Sequence, residues 1–396
     1  MFLLNKLKKE KKKLIILLHG PISRREYHTF GIEYLKKHFT VSILEISPLV
    51  NSKHYEFKRF FKFKIIRNFT ELENFFLKNQ NSMCWETGFS YNSLRIAYLL
   101  KKNKIKIIGA DGISSLPTRR FLNKTRHFQV FLRRLKLLVL NPLIFINRVS
   151  FSLQGYLRIL RYRKIDIALI GGNSYSKYNG YEKAKDKIYC SSLDYSNYIK
   201  RKKYLKKKIT NNYAVFIDTY LPFHPEHRST QSKILNSNDY FKSLTNFFKY
   251  FEKRTKLKVI IALYPKADLK KYSLEIKKFK MISGRIVELI KNCKIVMHHG
   301  STAQSYAVIF KKPTIYLTSN FLEKHKYIRD NSQRIEFMEQ KQINIDNFGE
   351  KLLFNKKKLF SYNKKLYKEY FRNYLKHDLS KKVPWYVSFV SYFKNY

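Results

Sequence analysis

KIVMHHGSTAQSYAVIFKKPTIYLTS, residues 294–319, decides the fold. Lys294 to Met297 carries a continuous apolar run, the pattern of a parallel strand covered on both faces. Gly300 breaks the run, Ser301 and Thr302 supply hydroxyls of the kind that open helices, and Ala303 to Phe310 predicts a helix. After the Lys312-Pro313 turn, Thr314 to Leu317 reads as the next strand. Strand, glycine, helix and strand in that order make a βαβ unit, because parallel neighbours need a crossover between them.

The same rhythm extends upstream. Tyr213 to Ile217 and Lys258 to Leu263 read as strands, with helices over Asp239 to Lys253 and Ser283 to Lys291. An earlier array begins with the strand Leu14 to Leu18, the turn His19-Gly20-Pro21 and a helix within Tyr27 to His38. Thr40 to Leu44, Ile105 to Ile108 and Ile165 to Ile170 follow as strands, with a helix over Asn92 to Lys101 and an edge strand at Ile188 to Cys190. Between the arrays, IKRKKYLKKK (199–208) lacks a core pattern and predicts a linker or an exposed helix end. The expected fold class is therefore α/β, with two Rossmann-like domains. Their expected bounds are 1–205 and 206–375, with an aromatic tail at 376–396 packing back on the first domain and helix beyond Phe354.

A chain of 396 residues exceeds what one hydrophobic core organises, and 44% hydrophobic with 16% aromatic residues suffices for two. The formal charge of +53 raises a nucleic-acid reading. Against it, the charge is spread over the whole chain, no zinc-finger, helix-turn-helix or RRM pattern occurs, and abundant Lys, Asn, Ile, Phe and Tyr fit a genome poor in G and C. Cys84, Cys190 and Cys293 lie far apart, which argues against a disulfide framework or a cysteine zinc site. The apolar run at Leu14 to Leu18 is too short for a signal peptide, and no stretch approaches the roughly 20 apolar residues of a membrane span. A soluble or peripheral, cytoplasmic protein is expected.

The segment 296–307 carries the strongest chemical signal. Backbone N–H groups at the helix start, with the hydroxyls of Ser301, Thr302 and Ser305 and the turn at Gly300, form an anion site, and ligands of open α/β sheets sit outside the strands' carboxyl ends. His298 and His299 are candidates for hydrogen-bonding a phosphate there. This segment, with KKPTIYLTS after it, resembles the C-terminal domain of GT-B glycosyltransferases. The similarity is to enzymes building bacterial capsule and lipopolysaccharide, and to the related sugar-nucleotide epimerases; it spans roughly Tyr213 to Ser319, and the N-terminal half shares the layout only. The resemblance implies two domains facing a cleft, a nucleotide-sugar donor held by the second domain and a base on the first.

Three further groups fit that scheme. Asp218, His224, Glu226 and His227 follow a strand on one loop and are candidates for lining the cleft; their spacing matches no standard metal site. Lys266 follows Tyr264-Pro265, where the family carries His-Pro, and is a candidate phosphate partner. His19, Glu86 and Asp111 are candidates for the base that deprotonates an acceptor hydroxyl. No DxD pair is evident, so metal-independent transfer without a cofactor is expected. Finally, 117–163 holds Arg119, Arg120, Arg126, Arg133, Arg134, Arg148, Arg158, Arg161 and Arg163, and no acidic residue. Phe128, Phe131, Leu132 and Leu135 recur there at helical spacing, which predicts an amphipathic face for an anionic membrane and a lipid-linked or polysaccharide acceptor. The alternatives are a CDP-polyol phosphate or CMP-acidic-sugar transferase and, in another class, a basic nucleic-acid-binding protein.

Overall fold

Two separate parallel sheets organise the chain. The computed structural model describes residues 11–50, 59–87, 93–111, 165–174, 184–205, 212–224, 235–324, 338–348 and 355–394, with 142, 146, 150 and 335 as isolated positions. The first sheet contains β1 (Lys13–Leu18), β2 (Thr40–Glu45), β3 (Lys64–Ile65), β4 (Met83–Glu86), β5 (Lys106–Asp111), β6 (Ile167–Ile170) and β7 (Asp186–Tyr189). Its order is β3-β2-β1-β4-β5-β6-β7. The second contains β8 (Tyr213–Ile217), β9 (Lys258–Ala262), β10 (Lys280–Ile282), β11 (Ile295–His298), β12 (Thr314–Thr318) and β13 (Lys341–Asn344), in the order β10-β9-β8-β11-β12-β13. Both run outward from their first strand and then reverse, so both have the doubly wound plan with a switch point beside that strand. These are the two Rossmann-like domains of the GT-B architecture.

Strand alternation explains how each sheet is covered. Leu14, Ile16 and Leu18 of β1 face one core, with Tyr27, Phe30, Ile32 and Leu35. Ile15 and Leu17 face the other, with Leu72 and Phe76 of the helix Phe69–Leu77 and Ile96 and Leu100 of Ser93–Lys102. In the second sheet Ala214 and Phe216 meet the aromatic stripe of Ser237–Thr255, built from Phe241, Phe247, Phe248 and Phe251. Val215 and Ile217 pack on Val287, Ile290, Tyr306 and Ala307.

Several local expectations are corrected. The helix expected within Tyr27 to His38 is two, Arg24–Thr29 and Ile32–His38. They break at Gly31, whose φ of +67° suits glycine and whose Cβ, if present, would lie 2.2 Å from the ring of Tyr386. Leu193–Lys202 is a helix capped by Ser192, so the charged run at 199–208 begins as a helix end. Glu86 is the last residue of β4, a strand absent from the sequence-based expectations. The basic segment 117–163 lies outside the described residues apart from 142, 146 and 150. Among the described residues no helix is long and apolar enough to cross a membrane.

The chain's end leaves the second sheet and returns to the first domain. Tyr367, Tyr370, Tyr374 and Leu375 pack with Tyr195 and Val308. Ser191 and Lys376 then form an antiparallel bridge next to β7. The last helix, Trp385–Lys394, inserts Trp385, Tyr386, Phe389 and Val390 into the first domain's core.

Candidate functional site

The switch point of the first sheet lies between β1 and β4, and a hydrogen-bonded pair stands at its carboxyl end. Register pairs Leu17 with Glu86, and Thr87 seals the strand end by donating its N–H and hydroxyl to the Leu17 carbonyl. His19 is the second residue beyond Leu17, and its Nε2 lies 3.0 Å from Glu86 Oε1. Their side chains are 16% and 5% exposed, so the pair is mostly shielded yet reachable. Nε2–H donates to the carboxylate, which leaves the lone pair of the neutral ring on Nδ1. Among the described residues no group bonds that Nδ1. The structure thus joins two of the three base candidates. The third, Asp111, ends β5 one strand further on, and its side chain lies outside the described residues.

The second switch point lies between β8 and β11. His298 ends β11 with its ring fully buried, and its Nδ1 accepts the Gly300 N–H at 2.9 Å. His298 Nε2 lies 3.4 Å from the side-chain nitrogen of Gln340. Gly300 takes φ +102°, which ends the strand. Ser301 Oγ accepts the Ala303 N–H at 3.2 Å, Thr302 is exposed, and the helix proper is Gln304–Ile309. Among the described residues the N–H groups of Ser301 and Thr302 donate to nothing, leaving two donors outside the sheet.

His299, next to His298, points to the opposite face by strand alternation. Its Nδ1–H donates to the Leu317 carbonyl at 2.7 Å, and its Nε2 accepts from the Tyr240 hydroxyl at 2.9 Å. Burial pushes its imidazole down to about 4, with the Leu317 bond pulling partly back. It is a neutral core residue, away from the exposed N–H groups. Unfolding restores an ordinary affinity near 6.5, so the unfolded chain binds the extra proton between the two values. His299 therefore contributes stability above about pH 6.5, and about 3 kcal/mol is lost as pH falls to about 4. The double variant Tyr240→Phe/His299→Asn keeps the donor to Leu317 and removes the titration. Wild-type urea stability should fall more steeply than the variant's across that window; parallel slopes would remove His299 as the cause.

Asp218 ends the β8 connection with both carboxylate oxygens engaged. They accept the Tyr220 N–H at 2.9 Å, the Tyr264 N–H at 3.2 Å and the Tyr272 hydroxyl at 2.5 Å. Burial pushes its carboxyl up, and these donors partly offset that. Asp218 ties the loop after β8 to the loop after β9, and the Tyr220 hydroxyl accepts the Asp268 N–H at 3.3 Å. The rings of Tyr220 and Tyr264 stack between the same two loops. His224 is half-buried with its ring edge-on to Tyr264, while Glu226 and His227 lie outside the described residues.

Lys266 leaves its own domain. Its Nζ donates to the Pro21 carbonyl at 3.0 Å and pairs with Glu26 Oε2 at 3.1 Å, both in the first domain. Glu26 also accepts from the N–H and hydroxyl of Ser23, the capping box of Arg24–Thr29. Burial opposes ionisation of Glu26, but Lys266 and Ser23 outweigh it and hold the carboxyl below its usual range. Ser305 is buried, 3.4 Å from the Tyr370 hydroxyl; nearby in the chain Tyr306 accepts from Asn197 of the first domain at 2.8 Å, and Arg25 pairs with Asp194 within the first domain at 2.9 Å. Glu26, Arg25 and Asp194 were missed in the sequence, although Ser23-x-x-Glu26 is a legible capping signature. Among the described residues no cluster of His, Cys, Asp and Glu is arranged to hold a metal.

Lys266 thus ties the loop after β9 in the second domain to the turn after β1 in the first. Solved structures match the chain over most of its length. A UDP-GlcNAc 2-epimerase from Methanocaldococcus jannaschii, in complex with UDP-GlcNAc and UDP, aligns at 15% identity over 91% of this chain and 98% of its own, with a TM-score of 0.47. UDP-N-acetylglucosamine 2-epimerase from Rickettsia bellii aligns at 12% over 98% and 99%, TM-score 0.48. MurG from Acinetobacter baumannii aligns at 8% over 90% and 92%, TM-score 0.43. No protein-family model and no curated protein matches. The strand orders carry the fold, and these likenesses add nothing about substrate or residue roles.

Proposed function

We propose that this protein is a metal-independent glycosyltransferase, moving a sugar from a nucleotide-sugar donor to a lipid-linked surface polysaccharide at the inner face of the cytoplasmic membrane. The observation that carries the reading is the His19–Glu86 pair at the first sheet's switch point, with Lys266 of the second domain bonded to the same turn. In an inverting displacement, Nδ1 of His19 takes the proton of the acceptor hydroxyl as its oxygen bonds to the anomeric carbon. The bond from that carbon to the phosphate oxygen breaks, and its electron pair leaves with the nucleotide. The N–H groups of Ser301 and Thr302, their hydroxyls and Lys266 stabilise that leaving charge. His298 acts indirectly by fixing Gly300. Asp218 and His224 are assigned to the wall of the donor site. The basic composition of the segment 117–163 supports the membrane assignment.

A thermal-shift screen with UDP, GDP, CDP, CMP and their sugars tests this. A ligand at about 100 times its Kd stabilises the fold by about 2.7 kcal/mol, so one nucleotide should raise Tm clearly. Ser301→Ala should shrink that rise. Steeply salt-dependent RNA binding with no nucleotide response would replace the reading with the nucleic-acid one. Conversion of a nucleotide sugar to its epimer without acceptor would replace transfer with epimerisation.

A further inference from the structure

We propose that Glu26 is a built-in competitor for the donor's diphosphate: in the nucleotide-free protein it holds the Lys266 ammonium, and a bound diphosphate takes that ammonium over. The inference rests on the donor-site reading above and adds a residue of the opposite domain to it. Lys266 is only 13% exposed, yet its charge is spent on a carboxylate and a carbonyl from across the cleft. Its own backbone leaves β9, which is separated from β11 by β8 alone. Two strand spacings, about 10 Å, therefore separate the strands that carry the Lys266 loop and the Gly300 turn, and both leave the same edge of the sheet. An anion seated on the N–H groups of Ser301 and Thr302 is within range of a flexible lysine bearing three rotatable donors.

The exchange is inexpensive on the Glu26 side. Glu26 stays bonded to the Ser23 N–H at 2.7 Å and to the Ser23 hydroxyl at 2.8 Å, so losing Lys266 leaves the helix cap in place. A diphosphate offers more negative charge than one carboxylate, so it wins the ammonium once seated. The consequence reaches the base. Lys266 also grips the Pro21 carbonyl, two residues from His19, so capture of the ammonium frees the turn that carries His19 when the donor is in place. By linkage, whatever strengthens the Lys266–Glu26 pair weakens diphosphate binding by the same factor.

Calorimetric titration of the full-length protein with UDP, inorganic pyrophosphate and uridine tests the exchange. Glu26→Gln is the informative variant, because glutamine retains the capping box and removes the charge. An ion pair with one partner open to solvent corresponds to about a two- to fivefold change in affinity. Glu26→Gln should tighten UDP and pyrophosphate by about that factor and leave uridine unchanged. Lys266→Ala should weaken both diphosphates, and adding Glu26→Gln to it should then change nothing. Unchanged or weaker diphosphate binding in a folded Glu26→Gln overturns the proposal. So does tightening that persists without Lys266, which would be a general charge effect, and so does the absence of diphosphate binding in both proteins. Pyrophosphate that responds while UDP never binds leaves the competition standing and removes the sugar-nucleotide reading.

Discussion

His19→Ala is expected to lower the rate of sugar transfer by about 10²- to 10⁴-fold, the range a positioned general base contributes. Donor affinity should hardly change, because His19 belongs to the domain opposite the proposed donor site. Exogenous imidazole should restore part of the lost rate, since the cavity left by the ring is lined by Glu86, which can orient a free imidazole as it orients His19. Glu86→Gln should cost less, about 10-fold or more. Its amide oxygen still accepts Nε2–H, but the charge that favours the imidazolium formed during transfer is gone. A fall in kcat without a rise in donor KM would place Glu86 behind His19 as a positioning residue. A His19→Ala rate within about threefold of wild type, against the contribution expected of a base, would end the assignment and move the search to Asp111 at the end of β5.

What the sequence made legible follows from the lengths of its apolar runs. Leu14 to Leu18 and Tyr213 to Ile217, five successive apolar residues each, and the shorter Thr314 to Leu317 are strands because such runs are buried between two helical layers. The strand Met83–Glu86 was hidden, since four residues ending in a carboxylate before Thr-Gly read equally well as a turn. That omission also hid the site: without β4 beside β1, nothing in the sequence joins His19 to Glu86. The consecutive residues His298 and His299 looked equivalent as phosphate partners. Strand alternation separates them, sending His299 to Tyr240 and Leu317 and His298 to Gly300 and Gln340. The Lys266–Glu26 pair was beyond reach, because it joins loops of different domains and neither residue breaks a local pattern.

The return of the chain's end to the first domain leads to the second large effect. Trp385→Ala is expected to destabilise the protein by about 3–5 kcal/mol, the cost of emptying a large aromatic site in a core. Trp385 is 1% exposed, lies 5.1 Å edge-on to Trp85 of β4, and donates its indole N–H to the Thr29 carbonyl at 3.1 Å. Trp385→Phe should recover most of that loss, leaving the Thr29 acceptor unpaired at about 1–2 kcal/mol. Urea unfolding gives the totals, and hydrogen exchange locates them. Amides of β1 and β4 should exchange faster in Trp385→Ala while those of β8 and β11 change little, since their cores share no residue with Trp385. A loss below about 1 kcal/mol would mean that the last helix merely rests on the domain. A loss of the expected size has a functional corollary, because Thr29 ends the helix whose first turn carries Arg25 and Glu26. The last helix would then support both ion pairs made by that helix, the Asp194 pair within the first domain and the Lys266 pair to the second, although it belongs to neither.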